Sequence, residues 1–221
     1  MSTLNHRLFT AKIVEKHGLA YDFDDMESSI TKPRLLLHVC CGVCSAYVPE
    51  LLIPNFDVTV YYENSNIYPS EEFDRRQEAA KFMAASFQLP FIEAPYRPQD
   101  WETGTRGMES APENGPRCIY CIGYRLGKTF EFAKQHHFSW VATTLSVSRR
   151  KNATMINTLG DQLAQQTGIS FLGKDWKKNG GADTSAARAK DAGIYRQEYC
   201  GCRFSLERLT RKNQAPLRQN P

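Results

Sequence analysis

No stretch of this sequence approaches the roughly 18 consecutive apolar residues that a membrane-spanning helix needs, and no membrane partner is expected. The opening MSTLNHRLFTAKIVEKHG lacks the continuous apolar centre of a secretory signal. It is amphipathic, but Glu15 and the acidic YDFDDME segment follow too quickly for a good mitochondrial presequence. The cytoplasm is the expected compartment. A surplus of one charge sign is also small, at +4 over 221 residues. An even cysteine count is missing too: seven cysteines in a reducing compartment do not suit a disulfide framework, and an odd number cannot pair completely. The length suits one domain with a substantial core, with or without a small appendage.

What is present alternates. Residues 1–33 read as a helical lead. PRLLLHVCCG is a short apolar run closing at a glycine, the mark of a strand buried on both faces. A helix is expected from Ser45 through Leu52, a second strand at DVTVYYENSNI, and a helix N-capped by Ser70 over EEFDRRQEAAKFMAASF. LPFIEAPY reads as a third strand, Arg97 to Arg117 as a loop, and GYRLGKTFEFAKQHH as a helix. FSWVATTLSVS is a fourth strand, and NATMINTLGDQLAQQTG a further helix. This order predicts an α/β fold, a Rossmann-like parallel sheet with helices on both faces, spanning residues 34–205. Beyond Gly168 the pattern fades into a loop-rich, basic segment, with residues 206–221 read as a flexible tail. From Lys174 to Pro221, eleven Lys/Arg face five Asp/Glu, a distribution suited to a phosphate backbone.

Three groups use every cysteine: Cys40-Cys41-x-x-Cys44, Cys118-x-x-Cys121 and Cys200-x-Cys202. The first closes the first strand, where α/β proteins bind ligands. The second is expected just ahead of a helix, whose N-terminal amides stabilise thiolates. The third lies in a glycine turn that lets two thiols approach or part. Structural zinc wants four ligands in a closed tetrahedron, and here there is more sulfur than one zinc needs. An iron–sulfur cluster spreads neighbouring thiolates over several irons. The pattern favours the cluster and leaves zinc and a metal-free dithiol open. His38, on the first strand, reads as a hydrogen-bonded core histidine.

LHVCCGVCS, RCIYC, TTLSVSRRKN, FLGKDWKKNGG and IYRQEYCGCRFS, in this order from about Arg34 to Ser205, resemble the epoxyqueuosine reductases of the QueH type. The resemblance implies cobalamin-independent reduction of epoxyqueuosine in tRNA to queuosine, the last step of that biosynthesis. It implies a [4Fe-4S] cluster on Cys40, Cys41, Cys118 and Cys121, a redox-active disulfide pair Cys200/Cys202, and one additional iron; Cys44 is a candidate ligand of that iron or of the cluster itself, with a structural thiol as the alternative. The implied fold is related to nucleotide-binding tRNA-modifying enzymes. Those carry a glycine-serine pyrophosphate loop after the first strand, where this chain has CCGVCS, which argues against ATP use.

Converting an epoxide to an alkene consumes two electrons and two protons and releases water. A single cluster passes one electron at a time, so a second store is needed, either a neighbouring iron or the Cys200/Cys202 dithiol. Asp175 and Glu109 are candidate proton donors, with Asp100 and Tyr195 behind them. Arg149, Arg150, Lys151, Lys174 and Lys177 are candidate tRNA-backbone contacts, and Trp176 and Tyr195 candidate stacking residues. The electron donor is not named by the sequence. A zinc-stabilised RNA-binding module, a thiol–disulfide oxidoreductase and a tRNA sulfur-transfer enzyme are the rival readings.

Overall fold

The structure is a computed structural model that describes residues 32–214. The expected helical lead therefore lies outside the described residues except for Lys32 and Pro33, as do residues 215–221 of the tail.

Strand β1 (Arg34–His38) begins directly after Pro33, and its Leu35, Leu36 and Leu37 are fully buried. A strand covered on both faces needs apolar side chains on both, so it reads as a run and not as an alternation. Strands β2 (Asp57–Tyr62), β3 (Phe91–Glu93), β4 (Trp140–Thr143) and β5 (Ser170–Phe171) join it in one parallel sheet of order β3-β2-β1-β4-β5. Between β1 and β2 lie two short helices, α1 (Gly42–Ser45) and α2 (Val48–Leu52). Helix α3 (Ser70–Ser86) leads to β3, and α4 (Pro98–Gly104) with α5 (Pro116–Gln135) leads to β4. Helices α6 (Ala153–Thr167), α7 (Gly181–Asp191) and α8 (Arg203–Gln214) follow.

Each sheet face has its own core. Leu35, Leu37, Val58, Val60 and Tyr62 pack with Phe73, Ala80 and Ala84 of α3. Leu36, Tyr61 and Val141 pack on the other face with Phe130 and Ala133 of α5 and Leu163 of α6. The doubly wound α/β architecture is thus the expected one.

Several details differ from the sequence expectation. The helix sought over Ser45–Leu52 is two pieces, α1 and α2, with Pro49 opening the second. Pro69, not Ser70, caps α3. Helix α5 starts at Pro116, so Cys118 and Cys121 occupy its first turns and do not precede it; proline at the first position presets the helical φ. The stretch from Arg97 to Arg117 contains α4, and the basic segment contains β5, α7 and α8, so residues 206–214 are helical.

The chain leaves β1 towards β2 on one side, while β4 lies on the other side of β1. Loops diverge from the carboxyl ends of these two strands, and the crevice between them is the place where such sheets bind ligands. Val39 to Cys41 form one lip and Thr144 to Ser148 the other.

Candidate functional site

The first lip is tightly fixed. Val39 donates its N–H to the Tyr61 carbonyl at 2.9 Å and accepts from Asn64 Nδ2 at 2.9 Å. Ser45 Oγ donates to the carbonyls of Cys41 (2.9 Å) and Gly42 (3.0 Å), closing α1. Position 42 has no room for a side chain, since a Cβ there would stand 2.8 Å from Ala79 Cβ on α3. These restraints bring the sulfurs of Cys40, Cys41 and Cys44 within 4.8 Å of one another, with Cys40 and Cys41 3.8 Å apart. Thr144 Oγ1 lies 4.0 Å from the Cys40 sulfur, and Gln197 Nε2 donates to the Cys41 sulfur at 3.0 Å.

The three thiols share their protons unequally. Hydrogen bonds from Cys41 and Cys44 hold Cys40 well below the ordinary thiol range. Cys41, which gives its proton to the bond with Cys40, is pushed up to about 12, and its bond to Cys40 likewise drives Cys44 upward. Soft sulfur donors gathered in a site mostly removed from water are the donor set of a thiophilic metal, and carboxylate-preferring cations are poorly served there. The residues present fit such a group.

Cys118 and Cys121 share one face of α5, three residues apart. They line a small cavity of about 20 Å³ together with Cys200, Cys202, Trp101, Arg117 and Lys151. Burial pushes both upward, Cys121 to about 11. Among the described residues, Cys40, Cys41 and Cys44 are the one tight group of potential metal ligands, and Cys118 and Cys121 stand outside it. The two cysteine groups are nevertheless neighbours. Cys40 packs against the cluster containing Ile122 and Leu126 of α5. A larger cavity of about 350 Å³ is lined by Cys40, Cys44, Asn64, Arg76 and Arg125, and it shares Asn66, Lys151 and Cys200 with the small one. Asn66 Oδ1 and Gln197 Oε1 are buried in its wall without a hydrogen-bond partner, as acceptors awaiting a polar ligand would be.

All seven cysteines are free. Cys200 and Cys202 have different surroundings. Lys151 Nζ donates to the Cys200 sulfur at 3.2 Å; burial alone would raise this thiol, but the ammonium outweighs it and draws it below the ordinary value. The Cys202 thiol donates to Ser205 Oγ at 3.5 Å.

Of the basic residues singled out from sequence, Arg149, Arg150 and Lys151 line the larger cavity. Arg149 is paired with Asp183, and Arg150 donates to the Glu198 carbonyl at 3.3 Å. Lys174, Asp175, Trp176, Lys177 and Tyr195 line neither of these cavities. Lys174 is exposed, and its carbonyl accepts from Ser146 Oγ at 2.7 Å. Trp176 Nε1 donates to the Thr143 carbonyl at 2.9 Å, which fastens this segment to the end of β4. Asp175 is ion-paired with Lys177 at 2.9 Å, and Tyr195 donates its hydroxyl to Glu72 at 2.7 Å. Glu109 and Asp100 are exposed. His38 bonds Thr143 Oγ1 at 2.8 Å and the Glu63 carbonyl at 3.1 Å, and burial drops it to about 3, so it is the neutral core histidine expected.

Sequence reasoning missed Arg76, Arg125, Asn64 and Gln197. Arg76 is buried, donates to Glu72 at 2.7 Å, and holds the carbonyls of Tyr199 (3.1 Å) and Cys200 (3.0 Å). Arg125 donates to the Glu63 carbonyl at 3.3 Å and to Asn64 Oδ1. The Glu72–Arg76 spacing of four was a visible signal of a helical ion pair; its inward orientation was not.

Fold and site together define a Rossmann-like protein whose switch-point crevice is walled with thiols. Within that class the family is shown: the model of the family described as Epoxyqueuosine reductase QueH matches residues 35–208, and this chain belongs to that family of oxidoreductases. Curated relatives named Epoxyqueuosine reductase QueH include one from Streptococcus pyogenes serotype M1, 37% identical over 82% of this chain and 73% of its own length. One from Haemophilus influenzae is 38% identical over 78% and 71%, and one from Thermotoga maritima 34% identical over 78% and 90%. A solved structure titled as a predicted subunit of tRNA methyltransferase from Methanocaldococcus jannaschii is similar at 14% identity and a TM-score of 0.48, covering 71% of this chain and 74% of that one. A likeness that slight carries no functional weight.

Proposed function

We propose that this protein reduces the epoxide of epoxyqueuosine in tRNA to give queuosine. The observation that carries this reading is the gathering of all three cysteine groups around two adjoining cavities at the switch point, in a chain of this family. Cys40, Cys41, Cys118 and Cys121 would hold a [4Fe-4S] cluster, with Cys44 beside it as a ligand for one further iron. Bound there, such a group supplies electrons one at a time.

The remaining work falls to the chain itself. The larger cavity, about 350 Å³, is of a size that suits a small ligand such as a modified base. Arg125, Asn64, Asn66 and Gln197 supply it with fixed polar groups, two of them with unpaired oxygens. Arg149 and Arg150 are exposed along it and suit the flanking phosphates. Lys174 and Lys177 extend this basic surface, while Trp176 and Tyr195 serve by bracing. Cys200 and Cys202 are a dithiol that stores two reducing equivalents and gives them up on closing to a disulfide. Asp175 is occupied by Lys177, which counts against it as the proton donor. The electron donor is a separate partner.

Anaerobic reconstitution with iron and sulfide, followed by incubation with tRNA bearing epoxyqueuosine, tests the reading. A brown protein absorbing near ~400 nm and loss of one oxygen from the modified nucleoside by mass spectrometry are expected. A colourless zinc protein that converts nothing would sink it. Reduction of generic disulfides after chelation, independent of tRNA, would favour the thiol–disulfide oxidoreductase instead.

A further inference from the structure

Strand β2 runs out into a stretch of polar residues, Glu63 to Asn66, every one of them buried. Buried polar groups spend their hydrogen bonds on the protein or on a ligand. Asn64 is engaged at both ends: Nδ2 donates to the Val39 carbonyl at 2.9 Å, and Oδ1 accepts from Arg125. Glu63 accepts the Ser65 N–H at 3.1 Å, and Ser65 Oγ accepts the Arg97 N–H at 3.2 Å. Asn66 is the exception, because its Oδ1 lies unpartnered in the wall of the larger cavity. A second such oxygen, Gln197 Oε1, enters the same wall from the loop between α7 and α8. Sulfur sets the orientation of that amide: Nε2 donates to the Cys41 sulfur at 3.0 Å, which turns the oxygen away from it. Deprotonated sulfur accepts hydrogen bonds and has none to give, so neither oxygen is satisfied by a metal-bound thiolate. Arg125 is opposite in sense. Its Nε and Nη2 are spent on the Glu63 carbonyl and Asn64, while Nη1 bonds no protein atom among the described residues. Its side chain lines the same cavity.

We propose that Asn66 and Gln197 read the base of the substrate: their side-chain oxygens accept the N1–H and N2–H of a 7-deazaguanine, and Arg125 donates to its O6. The proposal rests on the reductase reading and deepens it by naming the residues that distinguish this base from others.

The chemistry of the edges matches. The base of epoxyqueuosine is a 7-deazaguanine, whose Watson–Crick edge carries one acceptor beside two neighbouring donors. Adenine presents one donor group beside an acceptor, and uracil a single donor between two acceptors. Cytosine presents one donor group followed by two acceptors. Each of these leaves one buried oxygen unpaired, and that penalty is what lets a hydrogen-bonding site reject a near relative. The epoxide-bearing substituent sits at ring position 7, on the side of the base away from this edge. Gripping the edge therefore leaves the epoxide free for the thiols that line other parts of the cavity. Arg149 and Arg150, exposed at the cavity, stay outside with the phosphates. Edge contacts to an unstacked base, with the backbone held outside, are how single-stranded RNA is read.

The test is binding, measured by fluorescence anisotropy on the full-length, anaerobically purified holoprotein. Its probes are RNA hairpins that differ at one loop residue: 7-deazaguanosine, 7-deazainosine, which lacks the N2 amine, or an abasic site. The unaltered protein should hold the 7-deazaguanosine hairpin about 10-fold or more tightly than the 7-deazainosine one, a comparison that needs no variant. Asn66→Leu and Gln197→Met, at unchanged iron content, should each weaken binding of the 7-deazaguanosine hairpin by about 5-fold or more. Both should bind the abasic hairpin as the unaltered protein does, which a merely structural role would not allow. One of them, having lost the partner of the N2 amine, should bind the first two hairpins alike. Equal binding of those two by the unaltered protein overturns the proposal. So do variants that keep its preference and affinity, or that lose the abasic hairpin to the same extent. Conversion of epoxyqueuosine by a protein that does not discriminate would leave the reductase reading standing, and discrimination without conversion would do the reverse.

Discussion

Arg76 shows how one side chain connects the sheet to the reactive turn. It is buried on α3, bonded to Glu72, and spans to the carbonyls of Tyr199 and Cys200. Arg76→Leu leaves the Glu72 carboxylate without its main partner inside the protein, a loss of about 3–5 kcal/mol. The urea midpoint should fall accordingly, and a midpoint within experimental scatter of the parent would refute the assignment. Glu72→Gln leaves Arg76 a buried cation without its counter-charge and should lower the midpoint as well. At this scale the sequence was legible for cysteines and poorly legible for arginines. Three spaced thiol groups carry their own chemistry, whereas the adjacent Arg75 and Arg76 look alike, and only the second is buried. Lys151 is visible in the sequence as a charge within an Arg-Arg-Lys run; the sulfur it bonds lies 49 residues away, and no local pattern announces a pairing over that distance.

Among elements, the contact that shapes the centre is α3 against α1. A Cβ on Gly42 would meet Ala79 Cβ and its carbonyl, both at 2.8 Å, so Gly42→Val must push the Cys41–Cys44 segment outward. We expect about 1–3 kcal/mol of destabilisation together with reduced iron uptake, measured by thermal melting and metal analysis. Gly123→Ala provides the contrast: it lies inside α5 with open space around it and should stabilise by about 0.5–1 kcal/mol. Equal melting shifts in the two variants would refute this account of the contact. Strands β1, β2 and β4 were legible because their apolar runs are buried, and β3 because Phe91 and Ile92, though only half-buried, follow one another. Strand β5 is two residues long and offers no pattern to find. Helix α7, GADTSAARAKD, buries Gly181, Ser185 and Ala189, residues too small and polar to register as an apolar stripe.

At the scale of the whole molecule, the basic residues along the larger cavity are partly compensated. Arg149 is paired with Asp183, whereas no ion pair engages Arg150 among the described residues. Replacing both arginines by alanine should weaken tRNA binding and flatten the dependence of log K on log salt by about 1 or more. Asp183→Asn should act in the opposite sense by freeing Arg149. Binding assays across a salt series would show it, and unchanged slopes would remove this surface from the tRNA path. The parallel sheet with helices on both faces followed from the strand–helix alternation, but the strand order and the convergence of residues 40, 118, 151 and 200 are long-range outcomes of folding that no short motif encodes. Cys41 and Cys44, finally, are packed among Leu35, Val39, Val48 and Val60 as ordinary apolar side chains. The framework should therefore stand without the proposed cluster: removing any bound metal should leave far-ultraviolet circular dichroism intact, and iron and sulfide added back should restore colour without refolding. A centre damaged by oxygen could then be rebuilt in place, the polypeptide acting as a reusable socket.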